Sequence, residues 1–163
     1  MKLTLHTDYA LRTLIYLGIH TDRLVSIREV AQVYGISENH LVKIIHRLGL
    51  GGFIETARGR NGGLKLARPA SEIGIGDVVR YTEEDLGLVT CMQPEQAAAG
   101  HCCILSDVCR LRGVLGEALA SFMTVLDHYT LEGMITPDER RRLGGREAGQ
   151  AGNLSASDLK PAG

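Results

Sequence analysis

The chain has 163 residues, of which 44% are hydrophobic and 23% are charged, values typical of folded globular proteins that exclude wholesale disorder. No segment approaches the roughly 18 uncharged apolar residues that a membrane span requires. The N-terminus also lacks the basic-then-apolar layout of a signal peptide. We therefore expect a cytoplasmic protein without a membrane partner.

The net charge of −1 conceals an asymmetry along the chain. Residues 1–70 carry ten Lys and Arg against five Asp and Glu, a net charge of +5. Residues 71–163 carry eight against fourteen, a net charge of −6. A basic half joined to an acidic half indicates a module that binds a polyanion, attached to a module with another role.

Three helical patterns follow one another in the basic half. The first helix is predicted to start near Asp8, with Thr7 as its N-cap. Ser26, with Glu29 three residues later, has the pattern of a capping box at the start of a second helix. Gly35 is expected to end this second helix, because glycine adopts the left-handed conformation without steric cost.

A third helix is predicted after Ser37, which gives two helices joined by a short turn, the spacing of a DNA-reading helix-turn-helix. Asn suits adenine edges, and Lys suits guanine edges or phosphate. The same polar side chains would also suit the solvated face of an ordinary core helix. The candidate DNA contacts on this helix are Ser37, Asn39, His40, Lys43 and Arg47.

A hairpin pattern follows the third helix. Strands are predicted at residues 53–56 and 64–66, and the turn between them contains an Asn-Gly signal. Its tip carries Arg58, Arg60 and Asn61, residue types that suit phosphate or minor-groove contact. A hairpin in this position is the wing of a winged helix-turn-helix, which favours DNA binding over an ordinary basic hairpin.

All four cysteines lie between Cys91 and Cys109. Their spacing is not the Cys-x-x-Cys of zinc ribbons or thioredoxins, whereas several thiolates on one loop suit the iron of an iron–sulfur cluster. At this point zinc and free redox-active thiols remain alternatives. A cysteine-dependent enzyme is disfavoured, because Cys102 and Cys103 have no recognisable arrangement of His and Asp around them.

One long helix is predicted over residues 109–132, with apolar residues at helical spacing along its length. Such a helix is typical of a homodimer in which two copies pack together, although intramolecular packing is the alternative. We expect Thr136 and Pro137 to stop or restart it. The fold class is therefore mainly α. The predicted units are a winged helix-turn-helix domain (1–80), a cluster-binding loop (81–109), a dimerisation helix (110–135) and a mostly disordered extension (136–163).

Several of these segments, in the expected order, resemble the Rrf-type winged-helix iron–sulfur transcription regulators, and among them the nitric-oxide-sensing repressors. The resemblance spans about residues 1–135 and is carried by motifs in the first helix, the recognition segment, the wing, the helix after the wing and both edges of the cysteine loop. These motifs are residues 1–4 with 7–12, then 34–45, 58–63, 75–80, 88–91 and 109–111.

The resemblance implies a homodimeric DNA-binding repressor with one iron–sulfur cluster per subunit, and not an enzyme. Three loop cysteines would hold the cluster, with a non-cysteine ligand from the first helix of the partner subunit. Because five residues separate Cys103 from Cys109, as in the family, Cys103 is preferred and Cys102 is the alternate, with His101 left open. The implied ligands are Cys91, Cys103, Cys109 and Asp8.

The resemblance also implies a 4Fe–4S cluster whose reaction with nitric oxide releases a palindromic double-stranded operator. Arg112 stands where the 2Fe–2S branch of the family has His, which weakens a 2Fe–2S interpretation. The alternative function is a winged-helix regulator of iron–sulfur status or of thiol redox state, with a 2Fe–2S cluster or zinc at the cysteines.

Overall fold

The computed structural model describes residues 2–59, 62–93, 103–105 and 108–145. Over these ranges the chain is mainly helical, as predicted. Its helices are α1 (Leu5–Ile19), α2 (Ile27–Tyr34), α3 (Glu38–Leu50), α4 (Ile75–Thr82), α5 (Arg110–Asp127), α6 (Leu131–Met134) and α7 (Pro137–Leu143). Strands β1 (Ile54–Ala57) and β2 (Gly63–Leu66) form a two-stranded sheet, and short 3-10 turns lie at Ala70–Glu72 and Thr90–Met92. In the described part of the chain, no helix is both long and apolar enough to cross a membrane.

The first helix begins about one turn earlier than the sequence predicted. Thr4, not Thr7, is the N-cap of α1, and its side chain accepts a hydrogen bond from the backbone N–H of Thr7. Thr7 itself is buried, and its hydroxyl donates to Thr82 Oγ1 at 2.8 Å. The prediction was wrong because both threonines precede the apolar pattern, and only the packing of α4 against α1 distinguishes them.

The start of α2 confirms one half of the predicted capping box. Ser26 is the N-cap and accepts from the N–H of Glu29 at 3.1 Å. The Glu29 side chain does not return the bond, because it is buried and accepts hydrogen bonds from Tyr16 and Arg23 instead. Gly35 ends α2 with a φ of 65°, in the left-handed region as expected.

The third helix and the wing also follow the predicted order. Ser37 occupies the N-cap position of α3, although its side chain makes no capping hydrogen bond. The inward side of α3 consists of Leu41, Ile44, Ile45 and Leu48, which are all buried. Strands β1 and β2 pair antiparallel, with Ile54 opposite Leu66 and Ala57 opposite Gly63, so each strand lies within one residue of its predicted position.

Helix α1 lies at the centre of the core and packs against α2, α3, α4, α6, α7 and β2. Its inward residues Leu14, Tyr16 and Leu17 are at most 1% exposed. Burying large apolar side chains is the main favourable contribution to folding, so α1 fixes the positions of the surrounding helices. Because α1 also carries Asp8, the core helix and the candidate cluster ligand belong to one rigid element.

The long helix predicted over residues 109–132 is interrupted at Asp127. The backbone of the next residues pairs with the chain before α4: the N–H of Ile75 donates to the carbonyl of Tyr129 at 2.9 Å. The N–H of Leu131 donates to the carbonyl of Ile73 at 2.8 Å. Leu131 is thereby buried in the core, and a separate helix, α6, begins there.

Helix α7 restarts after Thr136, as the Thr-Pro pair predicted. Thr136 forms a complete capping box with Glu139, in which each side chain bonds the backbone N–H of the other residue. Pro137 occupies the first turn, where its missing N–H costs no helical hydrogen bond. Residues 146–163, most of the expected disordered extension, lie outside the described residues.

Candidate functional site

The exposed side of α3 carries the predicted DNA contacts near its N-terminal end. Ser37, Asn39, His40 and Lys43 are all exposed, while the opposite side of the helix is in the core. An exposed polar helix start after a short turn is the part of a helix-turn-helix that enters the major groove. The arrangement leaves these side chains free to meet base edges and phosphates.

The wing presents a second basic position. Arg58 is exposed at the end of β1, beside Gly59, whose φ of 110° only glycine adopts readily. Arg60 and Asn61, the other predicted wing contacts, lie outside the described residues. Lys65 is exposed but pairs with Glu55 across the hairpin at 2.9 Å.

Arg47 differs from the other candidate DNA contacts because it faces α4. Its Nη2 donates to the carbonyl of Tyr81 and its Nη1 to Glu84 Oε1, both at 3.1 Å. Its guanidinium also lies 5.8 Å from the centroid of the Tyr81 ring. Helical spacing placed Arg47 with the exposed residues, but the tertiary contact with the end of α4 occupies it.

The sequence did not predict a cleft of about 240 Å³ between the start of α1 and the exposed side of α3. His6 and Tyr9 of α1 line it together with His40 and Lys43 of α3. The Nε2 atom of His6 is buried and has no hydrogen-bond partner in the described structure. Burial, followed by the charge of Arg47, lowers the pKa of His6. The helical spacing of His6 and Tyr9 could have shown that they share one face of α1. Only the packing of α1 on α3 places that face beside Lys43.

Asp8 lies in the first turn of α1, where the helix dipole favours negative charge. Its carboxylate accepts a hydrogen bond from Arg12 Nε at 2.9 Å, and both side chains are nearly half exposed. The backbone N–H of Asp8 donates to the carbonyl of Thr4 at 3.0 Å, which fixes the residue within the helix. The backbone of Asp8 is therefore held within the helix, while its carboxylate remains partly exposed on the surface of the chain.

The three cysteines preferred as cluster ligands all lie within the described residues and are free thiols. Cys91 is half-buried in the turn Thr90–Met92, Cys103 is exposed, and Cys109 is half-buried at the start of α5. Cys102 and His101 lie outside the described residues. Among the residues that are described, no three His, Cys, Asp or Glu side chains lie close enough together to hold a metal ion.

The surroundings of Cys109 nevertheless fit a thiolate-bound cluster. Cys109 is the N-cap of α5, and its sulfur accepts from the N–H of Arg112 at 3.5 Å. An open cleft of about 350 Å³ lies beside it, lined by Met92, Arg112, Gly113 and Gly116. A Cβ atom added at Gly113 or Gly116 would meet nothing within 4 Å. The Cys109 sulfur, a soft ligand that suits iron, therefore borders an open space at a helix N-terminus, where the backbone N–H groups favour negative charge.

Comparison with known proteins decides the family. The family model of Rrf2, described as an iron-dependent transcriptional regulator, matches residues 3–137. The chain belongs to the Rrf2 family. It is 49% identical over 140 residues to the HTH-type transcriptional regulator NsrR of Halalkalibacterium halodurans, an alignment that covers 85% of this chain and 93% of the relative. The NsrR of Bacillus subtilis is 45% identical over 140 residues, with the same coverage of both chains.

Solved structures of Rrf2-type regulators share the fold. IscR of T. potens superposes with a TM-score of 0.68 at 26% identity, covering 86% of this chain and 90% of that one. CymR of B. subtilis, a global cysteine regulator, superposes with a TM-score of 0.65 at 24% identity, covering 83% of this chain and 96% of CymR. The predicted winged-helix fold and the resemblance to Rrf-type regulators are confirmed. The chain is a transcriptional regulator acting on DNA, and not an enzyme.

Proposed function

We propose that this Rrf2 family member is a homodimeric repressor that holds an iron–sulfur cluster and releases its operator in response to nitric oxide. The observation that carries the proposal is Cys109, a thiol at the head of α5 beside an open cleft, in a chain with an exposed recognition helix. The relatives named NsrR support a transcriptional regulator, and the response to nitric oxide is proposed from the resemblance of the sequence motifs to nitric-oxide-sensing repressors.

For DNA recognition, Asn39, His40 and Lys43 on α3 read base edges and nearby phosphates in the major groove, with Ser37 at the helix start. Arg58, Arg60 and Asn61 on the wing contact the backbone or the minor groove. Two copies of the chain would place two such helices on half-sites about one turn of DNA apart. A palindromic operator follows from this symmetry.

The exposed apolar residues of α5 support the dimer. None of the residues in α5 is buried within the single chain, and Leu111, Val114 and Val125 are 52–64% exposed. A helix of this length extends about 27 Å, which is long enough to form a continuous seam with a second copy. Covering this seam would remove large apolar side chains from water, the usual driving force of homodimer formation.

The cluster would be held by Cys91, Cys103 and Cys109 of one subunit and by Asp8 of a second copy. When bound, it supplies iron that reacts with nitric oxide. Cys109 is the N-cap of α5, its sulfur accepts from the backbone N–H of Arg112, and the Arg112 residue lines the same cleft. A carboxylate is a harder ligand than a thiolate and suits cluster iron less well, so Asp8 is expected to be the ligand most easily lost. Arg12 provides Asp8 with an alternative partner within its own helix.

The proposal is tested by anaerobic purification, visible absorption and iron analysis of the wild-type protein. We expect a brown protein with about four iron ions per chain, as a 4Fe–4S cluster requires. Cys103→Ser should lose the colour and the iron, whereas the matched variant Cys102→Ser should keep both. About two iron ions per chain would indicate the 2Fe–2S alternative. A colourless wild-type protein that contains zinc or no metal would contradict the proposal.

A further inference from the structure

Residues 81–84, at the C-terminal end of α4, contact both the recognition helix α3 and the start of α1. We propose that this four-residue segment couples the cluster site to the recognition helix, with Glu83 and Arg47 as the positioning residues. Glu83 acts on the side of α1, and Arg47 on the side of α3. The inference rests on the proposed function, because it concerns how ligation at Asp8 and Cys91 affects operator binding.

On the α3 side, Tyr81 and Arg47 hold each other by reciprocal contacts. Arg47 Nη2 donates to the carbonyl of Tyr81 at 3.1 Å, and the Tyr81 hydroxyl donates to the carbonyl of Arg47 at 2.9 Å. The Tyr81 ring also fills the space beside Gly51, where an added Cβ would lie 2.6 Å from ring atom Cε1. Glu84 adds a further bond to Arg47, at 3.1 Å. The C-terminal turn of α3 is therefore fixed to the end of α4.

On the α1 side, Glu83 holds the N-cap of the helix. Glu83 is only 9% exposed, and its Oε1 atom accepts from the backbone N–H of Thr4 at 2.8 Å and from the Thr4 hydroxyl at 3.0 Å. The neighbouring Thr82 accepts from the hydroxyl of Thr7 at 2.8 Å. Asp8 is bonded to this same cap, because its N–H donates to the carbonyl of Thr4.

The same segment leads directly toward the cysteine loop, since Cys91 follows Glu83 by eight residues. Both proposed ligands are thus connected to residues 81–84, Asp8 through the α1 cap and Cys91 through the chain. A buried carboxylate with two donors does not move independently of them, because separating it from them would leave a charge unpaired. A shift of α1 or of the loop upon ligation would therefore be passed through Glu83 to the segment that holds Arg47.

The test compares operator affinity of the cluster-loaded and cluster-free full-length protein, in the wild type and in Glu83→Ala and Arg47→Met. Allosteric couplings commonly change affinity by about 5- to 150-fold. We expect the wild-type Kd ratio, the Kd of the cluster-free protein divided by that of the loaded protein, to lie in this range. Both variants should bring the ratio to within about twofold of one, with iron content and absorption spectrum unchanged. The exposed residue Glu72 supplies the matched control, because Glu72→Ala should keep the wild-type ratio.

A second readout follows the recognition helix itself. The N–H of Gly51 donates to the carbonyl of Arg47 at the end of α3, and its hydrogen exchange reports local opening of that turn. In the wild type, protection of this amide should differ between the loaded and cluster-free protein, and in Glu83→Ala it should not. If Glu83→Ala does not fold, Tyr81→Phe is the substitute, because it removes only the hydrogen bond from the Tyr81 hydroxyl to Arg47. It should reduce the difference between loaded and cluster-free protein in both operator affinity and Gly51 protection.

The outcomes separate this inference from the proposed function. A wild-type ratio near one would contradict the proposed function and the inference with it. A large wild-type ratio that persists in Glu83→Ala and Arg47→Met would overturn the inference alone. If Arg47→Met weakens both forms equally and lowers the salt dependence by about one phosphate contact, Arg47 is a DNA ligand and its positioning role is refuted.

Discussion

A buried carboxylate, Glu29, joins α1 to α2, the first helix of the helix-turn-helix. Glu29 is 6% exposed and accepts hydrogen bonds from the Tyr16 hydroxyl at 2.7 Å and from Arg23 Nη1 at 3.0 Å. Burial alone raises the pKa of this carboxyl group, but the hydrogen bonds from Arg23 and Tyr16, with the charge of Arg23, outweigh it and hold the pKa below its usual value. The carboxylate is therefore charged in the folded protein and depends on these partners.

Replacing Arg23 with methionine tests this dependence, because Arg23→Met keeps an apolar stem and leaves the Glu29 charge without its cation. Breaking a buried ion pair from one side costs about 3–5 kcal/mol. The Arg23 side chain is 35% exposed, so water replaces part of the lost interaction. After this reduction we expect a loss of about 2–3 kcal/mol in the free energy of unfolding. For a chain of this size that is a fall in Tm of about 4–12 °C.

The assay is urea and thermal unfolding of Arg23→Met, Glu29→Gln and the double variant, followed by circular dichroism. Glu29→Gln removes the charge that Arg23→Met leaves unpaired, so the double variant should be more stable than the sum of the single losses predicts. We expect a coupling of about 1–3 kcal/mol. Additive losses, or a loss below about 0.5 kcal/mol in Arg23→Met, would refute this account of the pair.

Two further predictions concern helix α2, which contains Glu29 and ends at Gly35. Folding lowers the pKa of Glu29, so its carboxylate contributes to the free energy of unfolding. That contribution is complete above the unfolded pKa near 4.5 and is lost as the pH falls through the folded pKa. The unfolding free energy below pH 4.5 should fall less steeply in Glu29→Gln than in the wild type, and equal slopes would contradict this. Gly35→Ala should cost about 1–2 kcal/mol in urea unfolding, because φ is 65° while the added Cβ meets nothing within 4 Å. Gly35→Asn should cost less, and equal losses would contradict the conformational explanation.

The elements that local patterns determine were predicted well. The third helix begins directly after Ser37 as predicted, and both strands of the wing lie within one residue of their predicted positions. Apolar periodicity and turn residues specify these elements without help from distant parts of the chain. The exposed positions of Asn39, His40 and Lys43 follow from the same periodicity, so the exposed polar side of α3 was predictable.

Distant contacts explain the errors. The long helix ends at Asp127 because the chain around Thr130 pairs with the backbone beside Gly74, a pairing that periodicity does not contain. Glu29 does not complete the predicted capping box, because its carboxylate accepts hydrogen bonds from Arg23 and Tyr16 instead. The contact between Arg47 and Tyr81, 34 residues later in the chain, is likewise absent from the local pattern, and the predicted contact of Arg47 with DNA stays a prediction.

In the proposed mechanism, the chemical state of a cluster at Asp8 and the loop cysteines sets operator affinity. The most direct measurement is operator binding of the anaerobically purified protein, followed by fluorescence anisotropy while nitric oxide is added in known ratio to the iron. We predict that binding is lost in step with the change in the cluster's visible absorption, and that the cluster-free protein binds as weakly. Operator affinity that is unchanged by nitric oxide or by removal of the iron would refute this mechanism.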